Sequence, residues 1–213
     1  MTRPNILIRS FEAYARGRSH HEALTALLDH FIAAFSANGL PDMAGENPAR
    51  LIALLGAVGS YAMGFGDPFG EIYTTLVSGE KDGRHLAPEP VADLMVGIAL
   101  AGDPVRRKVF DPACGSGRLL LAAAKADRTL TLYGADPDLT CCKMAVANLL
   151  LQSLTGEIAH MDPLNGEFFC GYRVGTVLRG GFHHPRVSEF SDRSESRVWR
   201  AIGGDGEAGE KGT

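Results

Sequence analysis

No stretch of this 213-residue sequence approaches the roughly 18 uninterrupted apolar residues of a membrane-spanning helix. The opening MTRPNILIRSFEAYARGRSHH has no continuous apolar core either, so it offers no secretory signal. Cysteine is scarce. Of the four, Cys141 and Cys142 are adjacent, poor geometry for a disulfide, and Cys114 and Cys170 complete no zinc-site spacing with them. Buried, reduced thiols in a cytoplasmic protein are the expectation. Positive charge is not in excess: 21 Lys and Arg against 25 Asp and Glu leave a net charge of −4. That excludes a chain coating nucleic acid by charge alone, though not a local basic face. What is present is a 45% hydrophobic composition, enough to bury a core, at a length suited to one domain with or without a small helical extension.

Residues 1–82 read as a helical region. In HEALTALLDHFIAAF, Leu24, Leu27, Leu28, Phe31, Ile32 and Phe35 recur at three- and four-residue steps, one apolar stripe. GLPDMAGENP breaks the pattern, and a second apolar helix follows over about residues 49–63. Over 83–185 the register changes. RKVFD, TLTLYGAD and GEIAHMD read as strands; EPVADLMVGIAL, RLLLAAAKA and LTCCKMAVANLLLQSL read as helices. That alternation predicts an α/β fold, a parallel sheet with helices on both faces. RVGTVLRGGF reads as one further strand. Over 186–213, SDRSESRVWRAI predicts a helix with Val198, Trp199 and Ile202 apolar, and GGDGEAGEKGT a disordered tail.

The stretch VFDPACGSGRLLLAAA is a strand ending in Asp111, a turn through Gly115-Ser116-Gly117, and a helix. Glycines remove side chains, so a ligand can lie directly on the backbone. The helix start at Arg118 offers unpaired N–H groups and a positive dipole end. Such a triplet can also be a tight turn with no ligand. Nineteen residues after Gly117, the next strand ends at Asp136, where doubly wound folds place a carboxylate for ribose hydroxyls. Asp136 can equally cap the following helix, with Pro137 at its first position.

DPACGSG resembles the S-adenosylmethionine motif of the N6-adenine DNA methyltransferases, and most of all the methylation subunits of type I restriction–modification systems. Further segments match in the same order: DPFGEIY (67–73) precedes the cofactor domain, and GRHLAPEPVADLMV (83–96) is similar to the family's F-x-T-P segment and its helix. The resemblance spans about residues 67–165. It implies a Rossmann-like S-adenosylmethionine-dependent methyltransferase fold with S-adenosyl-L-methionine as cofactor. It implies cofactor contacts from His85, Leu86, Pro88, Asp111, Ala113, Gly115 and Gly117, with Asp136 at the ribose and Asp162 at the adenine ring. One departure stands inside it: Ala87 replaces the family's threonine, losing a hydroxyl worth about 1 kcal/mol.

Transfer to an exocyclic adenine nitrogen needs more, because that lone pair is delocalised into the ring. The family uses an Asn/Asp-Pro-Pro-aromatic segment, whose oxygens accept the amine's hydrogens while the aromatic ring stacks on the flipped base. The segment is absent here. Its expected place reads GGFHHPR, a surface loop by composition. Phe182, His183, His184 and Pro185 are the only candidates there for a degenerate counterpart, and histidine does not supply paired acceptors. Only 28 residues follow Pro185, whereas the family's sheet continues through three more strands, so an incomplete sheet is implied. The fourth strand then becomes an open edge for a protein partner or second copy to cover. Between Arg173 and Arg200, six arginines face three acidic residues, a stretch suited either to phosphates or to a solvated face. The resemblance thus implies adenine-N6 methylation of DNA, or alternatively a silent cofactor-binding relative with a regulatory, anti-restriction or assembly role. A nicotinamide dehydrogenase fits less well, lacking the third glycine of G-x-G-x-x-G.

Overall fold

The computed structural model describes residues 2–37, 46–78, 86–100 and 107–204; His85 lies outside them. Four helices open the chain: α1 (Arg3–Tyr14), α2 (His20–Ala34), α3 (Pro48–Ala62) and α4 (Pro68–Ile72). Local chemistry starts them. Ser19 Oγ accepts from Glu22 N while Glu22 Oε2 accepts from Ser19 N, a reciprocal cap on α2. Asn47 caps α3, with Pro48 at its first position. The α2 stripe buries Leu24, Leu27 and Leu28 against Leu7, Phe11, Leu54 and Phe69, in a core that also takes Met144 and Ala147 from the later helix α7 (Leu139–Leu151). The helical region therefore shares its core with the sheet layer.

Among the described residues the other α-helices and strands are α5 (Glu89–Leu100), β1 (Lys108–Asp111), α6 (Arg118–Ala126), β2 (Thr131–Asp136), β3 (Thr155–Asp162), β4 (Glu167–Arg179), β5 (Phe182–Phe190) and a short α8 (Arg197–Trp199), which a wider helical turn continues over Arg200–Gly204. The strands form one sheet in the order β1-β2-β3-β4-β5. β1, β2 and β3 are parallel, joined by α6 and α7, the α/β arrangement that the alternation predicts. β4 and β5 are antiparallel. The reason is linker length: a parallel return needs a crossover of about a dozen residues or more, and only residues 163–166 separate β3 from β4.

GGFHHPR is thus not a loop. Gly180 and Gly181, at φ +57° and +83°, make the tight turn that matches strand twist, and Phe182 to Pro185 begin β5. Pro185 is tolerated there because β5 pairs only with β4. The expected open edge also moves: β4 is interior, and among the described strands β1 and β5 are the edge strands, β5 meeting the end of α2 where Val187 N donates to Phe35 O at 3.0 Å.

One sheet face is covered by α5, α6 and α7, which bury Leu120, Val146 and Leu149 against Leu132, Ile158 and Val174. The other face carries α8, with Val198, Trp199 and Ile202 on Tyr133, Ala135, Ala159 and Met161. Buried Glu157 holds α8 in place, its Oε1 accepting from Ser196 Oγ, Arg197 N and Val198 N. Among the described residues, no helix is long and apolar enough to cross a membrane, and all four thiols are free.

Candidate cofactor site

Three parallel strands deliver Asp111, Asp136 and Asp162 to one end of the sheet, the carboxyl ends where open α/β folds bind ligands. The chain leaving β1 turns back on itself, Gly117 N donating to Cys114 O at 2.8 Å, and enters α6. Gly115 and Gly117 take φ of +52° and +83°, the left-handed region that glycine enters without penalty. Both are also close to neighbours. A Cβ on Gly115 would stand 2.7 Å from Leu86 Cδ2, and one on Gly117 would stand 3.2 Å from Ala145 Cβ of α7.

Asp136 ties the turn to β2. Its Oδ2 accepts from Gly115 N at 2.9 Å, and its Oδ1 from Asp138 N at 2.9 Å. Asp138, rather than Asp136, caps α7 through Cys141 N. Asp111 is different. Its Oδ1 accepts from Ala113 N at 3.1 Å, but its buried Oδ2 has no hydrogen-bond partner. Burial pushes this carboxyl above its ordinary value against the pull of the Ala113 amide, and the charge of Asp136 adds to the rise. Two carboxylates close enough to repel each other, one with an orphaned oxygen, suit a cationic ligand that carries N–H donors.

A second constellation holds the turn from behind. Asp67, 1% exposed, accepts at Oδ1 from Gly70 N (2.8 Å) and Asn148 Nδ2 (2.7 Å), and at Oδ2 from Ser116 Oγ and Arg118 Nε (3.0 Å). Asn148 Nδ2 also donates to Ser116 O at 2.9 Å, and Arg118 Nη1 to Ala87 O at 2.8 Å. One buried carboxylate thus joins α4, the glycine turn, the start of α6 and the middle of α7.

Residues 65–172, just over half of the chain, match the family model described as N-6 DNA Methylase. The chain belongs to the N-6 DNA methylase family. It is 30% identical over 116 residues to the type I restriction enzyme MjaIX methylase subunit of Methanocaldococcus jannaschii, covering 48% of this chain and 20% of that protein. It is 28% identical over 112 residues to the type I restriction enzyme MpnII methylase subunit of Mycoplasma pneumoniae, covering 47% and 20%. A crystal structure of the type I restriction-modification system methyltransferase subunit from Streptococcus thermophilus is 28% identical, with a TM-score of 0.37, over 50% of this chain and 25% of that one. The match thus spans about a fifth of the length of these curated relatives.

Within this methylase framework, the structure brings Leu86, Asp111, Ala113, Gly115, Gly117 and Asp136 together, with Pro88 at the entrance to α5, where its carbonyl accepts from Val91 N and Ala92 N. Asp162 is at the same end of the sheet, but its side-chain bond is local, Oδ1 accepting from Leu164 N at 2.8 Å. Phe182, His183, His184 and Pro185 are not brought to the turn. β4 runs antiparallel to β3, so its far end and the start of β5 lie at the opposite end of the sheet from Gly115. Sequence reading missed Asp67, Ser116, Arg118 and Asn148 as positioning residues. A signal existed: an Asp-Pro helix start, and one asparagine inside the apolar run AVANLLL.

The buried Asp111 carboxyl sets a pH expectation. Between its ordinary and raised pKa the folded chain holds more protons than the unfolded one, so ionising Asp111 costs stability as pH rises through that window. Asp111→Asn is expected to raise the melting temperature near neutral pH and to leave it unchanged at about pH 3, where both states are protonated. Thermal melts of the two proteins at both pH values check this.

Proposed function

We propose that this chain binds S-adenosyl-L-methionine at the glycine turn and serves adenine-N6 methyl transfer to DNA. The orphaned Oδ2 of Asp111, on the strand end that leads into the Gly115 turn, carries the reading. It fits an ammonium donor laid against backbone, and a cation there relieves the cost of ionising a buried carboxyl. When bound, the cofactor supplies an electrophilic methyl group on a sulfonium.

Asp111 would hold the ammonium, and Asp136 would accept ribose hydroxyls through the second lone pairs of its already engaged oxygens. Leu86, Pro88 and Ala113 would line the cleft, Asp162 would meet the adenine ring, and Asp67 would keep the turn in register. His85 belongs to the same segment as Leu86. The groups that turn the acceptor amine toward the methyl are not in these 213 residues, so transfer draws them from a protein partner. Such a partner has a place: among the described residues no strand pairs with the outer edge of β1, and α5 beside it exposes Val91, Leu94, Met95 and Ile98. Cytoplasmic residence accords with this reading.

Tritium transfer from labelled S-adenosylmethionine to unmethylated DNA tests the proposal. Transfer, with this chain alone or supplemented by the rest of a type I methylase, is the expected result. Saturable binding with no transfer under either condition would make the chain a silent relative with a regulatory, anti-restriction or assembly role.

A further inference from the structure

β4 and β5 outrun the sheet they belong to. Val174, opposite Gly156, is the last residue of β4 paired with β3, whereas β4 and β5 pair with each other onward from Gly175↔Arg186 to Arg179↔Phe182. Those five pairs form a two-stranded ribbon reaching about 16 Å past the amino-terminal end of β3, at roughly 3.3 Å per residue. Residues Arg179 to His184 are all exposed, and nothing lies within 4 Å of where a Cβ would stand on Gly175, Gly180 or Gly181.

The ribbon is one-signed. From Phe168 to Ser188 the sequence has no Asp or Glu, while it carries Arg173, Arg179 and Arg186. Strand alternation and the observed register put those three arginines on one face with Phe182 and His184. Arg197 of α8 joins them: Arg173, Arg186 and Arg197 line one open cleft of about 420 Å³, with Thr155 and Ser188. Arg173 is held in place, Nη2 donating to Glu195 O at 3.1 Å and the guanidinium 4.9 Å from the centre of the Phe190 ring. Arg197 Nη1 donates to the Tyr133 hydroxyl at 3.4 Å. The one carboxylate in the cleft is Glu157. Its Oε1 is engaged by α8, and its Oε2 is 4.0 Å from Arg173 Nη2.

We propose that this face of the β4–β5 ribbon binds the phosphate backbone of duplex DNA. A two-stranded ribbon is of a size that the major groove admits, and arginines spaced along its face reach phosphates without reading bases. One exposed phenyl ring, Phe182, with the His184 imidazole beside it on the face, is not the row of large aromatic stacking platforms that single strands use. The inference rests on the reading of DNA as the methylated substrate. The surface lies at the end of the sheet opposite the glycine turn, so it docks DNA and does not perform transfer.

The test is fluorescence anisotropy of the full chain with a labelled duplex of about 20 base pairs, from about 50 to 200 mM KCl. Four arginines predict a slope of log affinity against log salt of about −3.6. Arg179→Ala/Arg186→Ala is expected to make that slope shallower by about 2 and to weaken binding at least about tenfold at the lowest salt. Both positions are exposed, and an unchanged thermal melt checks folding. Unchanged DNA binding in this variant overturns the proposal, as does tighter binding to single-stranded DNA or RNA of equal length. Calorimetry with S-adenosylmethionine separates the two readings. Wild-type protein that binds cofactor but no duplex overturns the ribbon alone. Wild-type protein whose duplex binding needs Arg179 and Arg186, but which binds no cofactor, supports the ribbon and removes the cofactor reading.

Discussion

Asp67→Ala is expected to destabilise the fold by about 3–5 kcal/mol, the usual result of stripping one partner from a buried charged network. The substitution removes the acceptor of four donors at once. It leaves the Arg118 guanidinium, which is 13% exposed, without its carboxylate, and Asn148 and Ser116 with unmet hydrogen bonds in a dry interior. It also removes the cap of α4 at Gly70 N, worth about 1 kcal/mol by itself. Against a typical total of about 5–15 kcal/mol, that leaves a chain near its unfolding threshold. Urea denaturation checks it, and a loss below about 1 kcal/mol would show that the network contributes little. Asp67→Asn, which keeps an acceptor for Gly70 N but loses the charge facing Arg118, should fall between the two.

The two turn glycines are expected to fail in different ways when a methyl group is added. At Gly117 the cost is structural. A left-handed backbone disfavours alanine by about 1–2 kcal/mol, and the new Cβ stands 3.2 Å from Ala145 Cβ and 3.3 Å from its Cα, on a helix packed in the core. At Gly115 the neighbour is the end of the Leu86 side chain, which can swing aside, so the fold loses less. The added methyl nevertheless stands on the turn whose Gly115 N donates to Asp136, where the cofactor is proposed to lie. Gly115→Ala is therefore expected to cost cofactor affinity at least tenfold, about 1.4 kcal/mol, while melting closer to wild type than Gly117→Ala. Melting curves and cofactor titrations of both variants check the contrast. Equal stability losses with unchanged affinity for Gly115→Ala would mean that the ligand does not lie against that residue.

The legible parts of this chain were those written in local spacing. The parallel half of the sheet follows from strands and helices alternating over Lys108–Asp162, and the site's outline from a glycine turn with Asp136 nineteen residues on. The antiparallel half was also encoded locally, in two glycines between alternating residues, but the run His183-His184-Pro185 has the composition of a loop and hid the strand. Which edge stays open depends on pairing between strands and cannot be read from any one of them. The Asp67 network was illegible for a different reason. Its partners lie 49 to 81 residues away in sequence, and nothing in an Asp-Pro-Phe-Gly segment tells a helix cap from a carboxylate that also seats a distant turn.

Calorimetric titration of S-adenosylmethionine into the wild-type chain and into Asp111→Asn, near neutral pH and again at lower pH, tests the central claim most directly. One-site binding by the wild type that weakens as Asp111 becomes protonated, together with weak, pH-independent binding by the variant, is the predicted outcome. Absence of binding by the wild type, or equal affinity in the two proteins at every pH, would contradict the assignment of the cofactor to this turn.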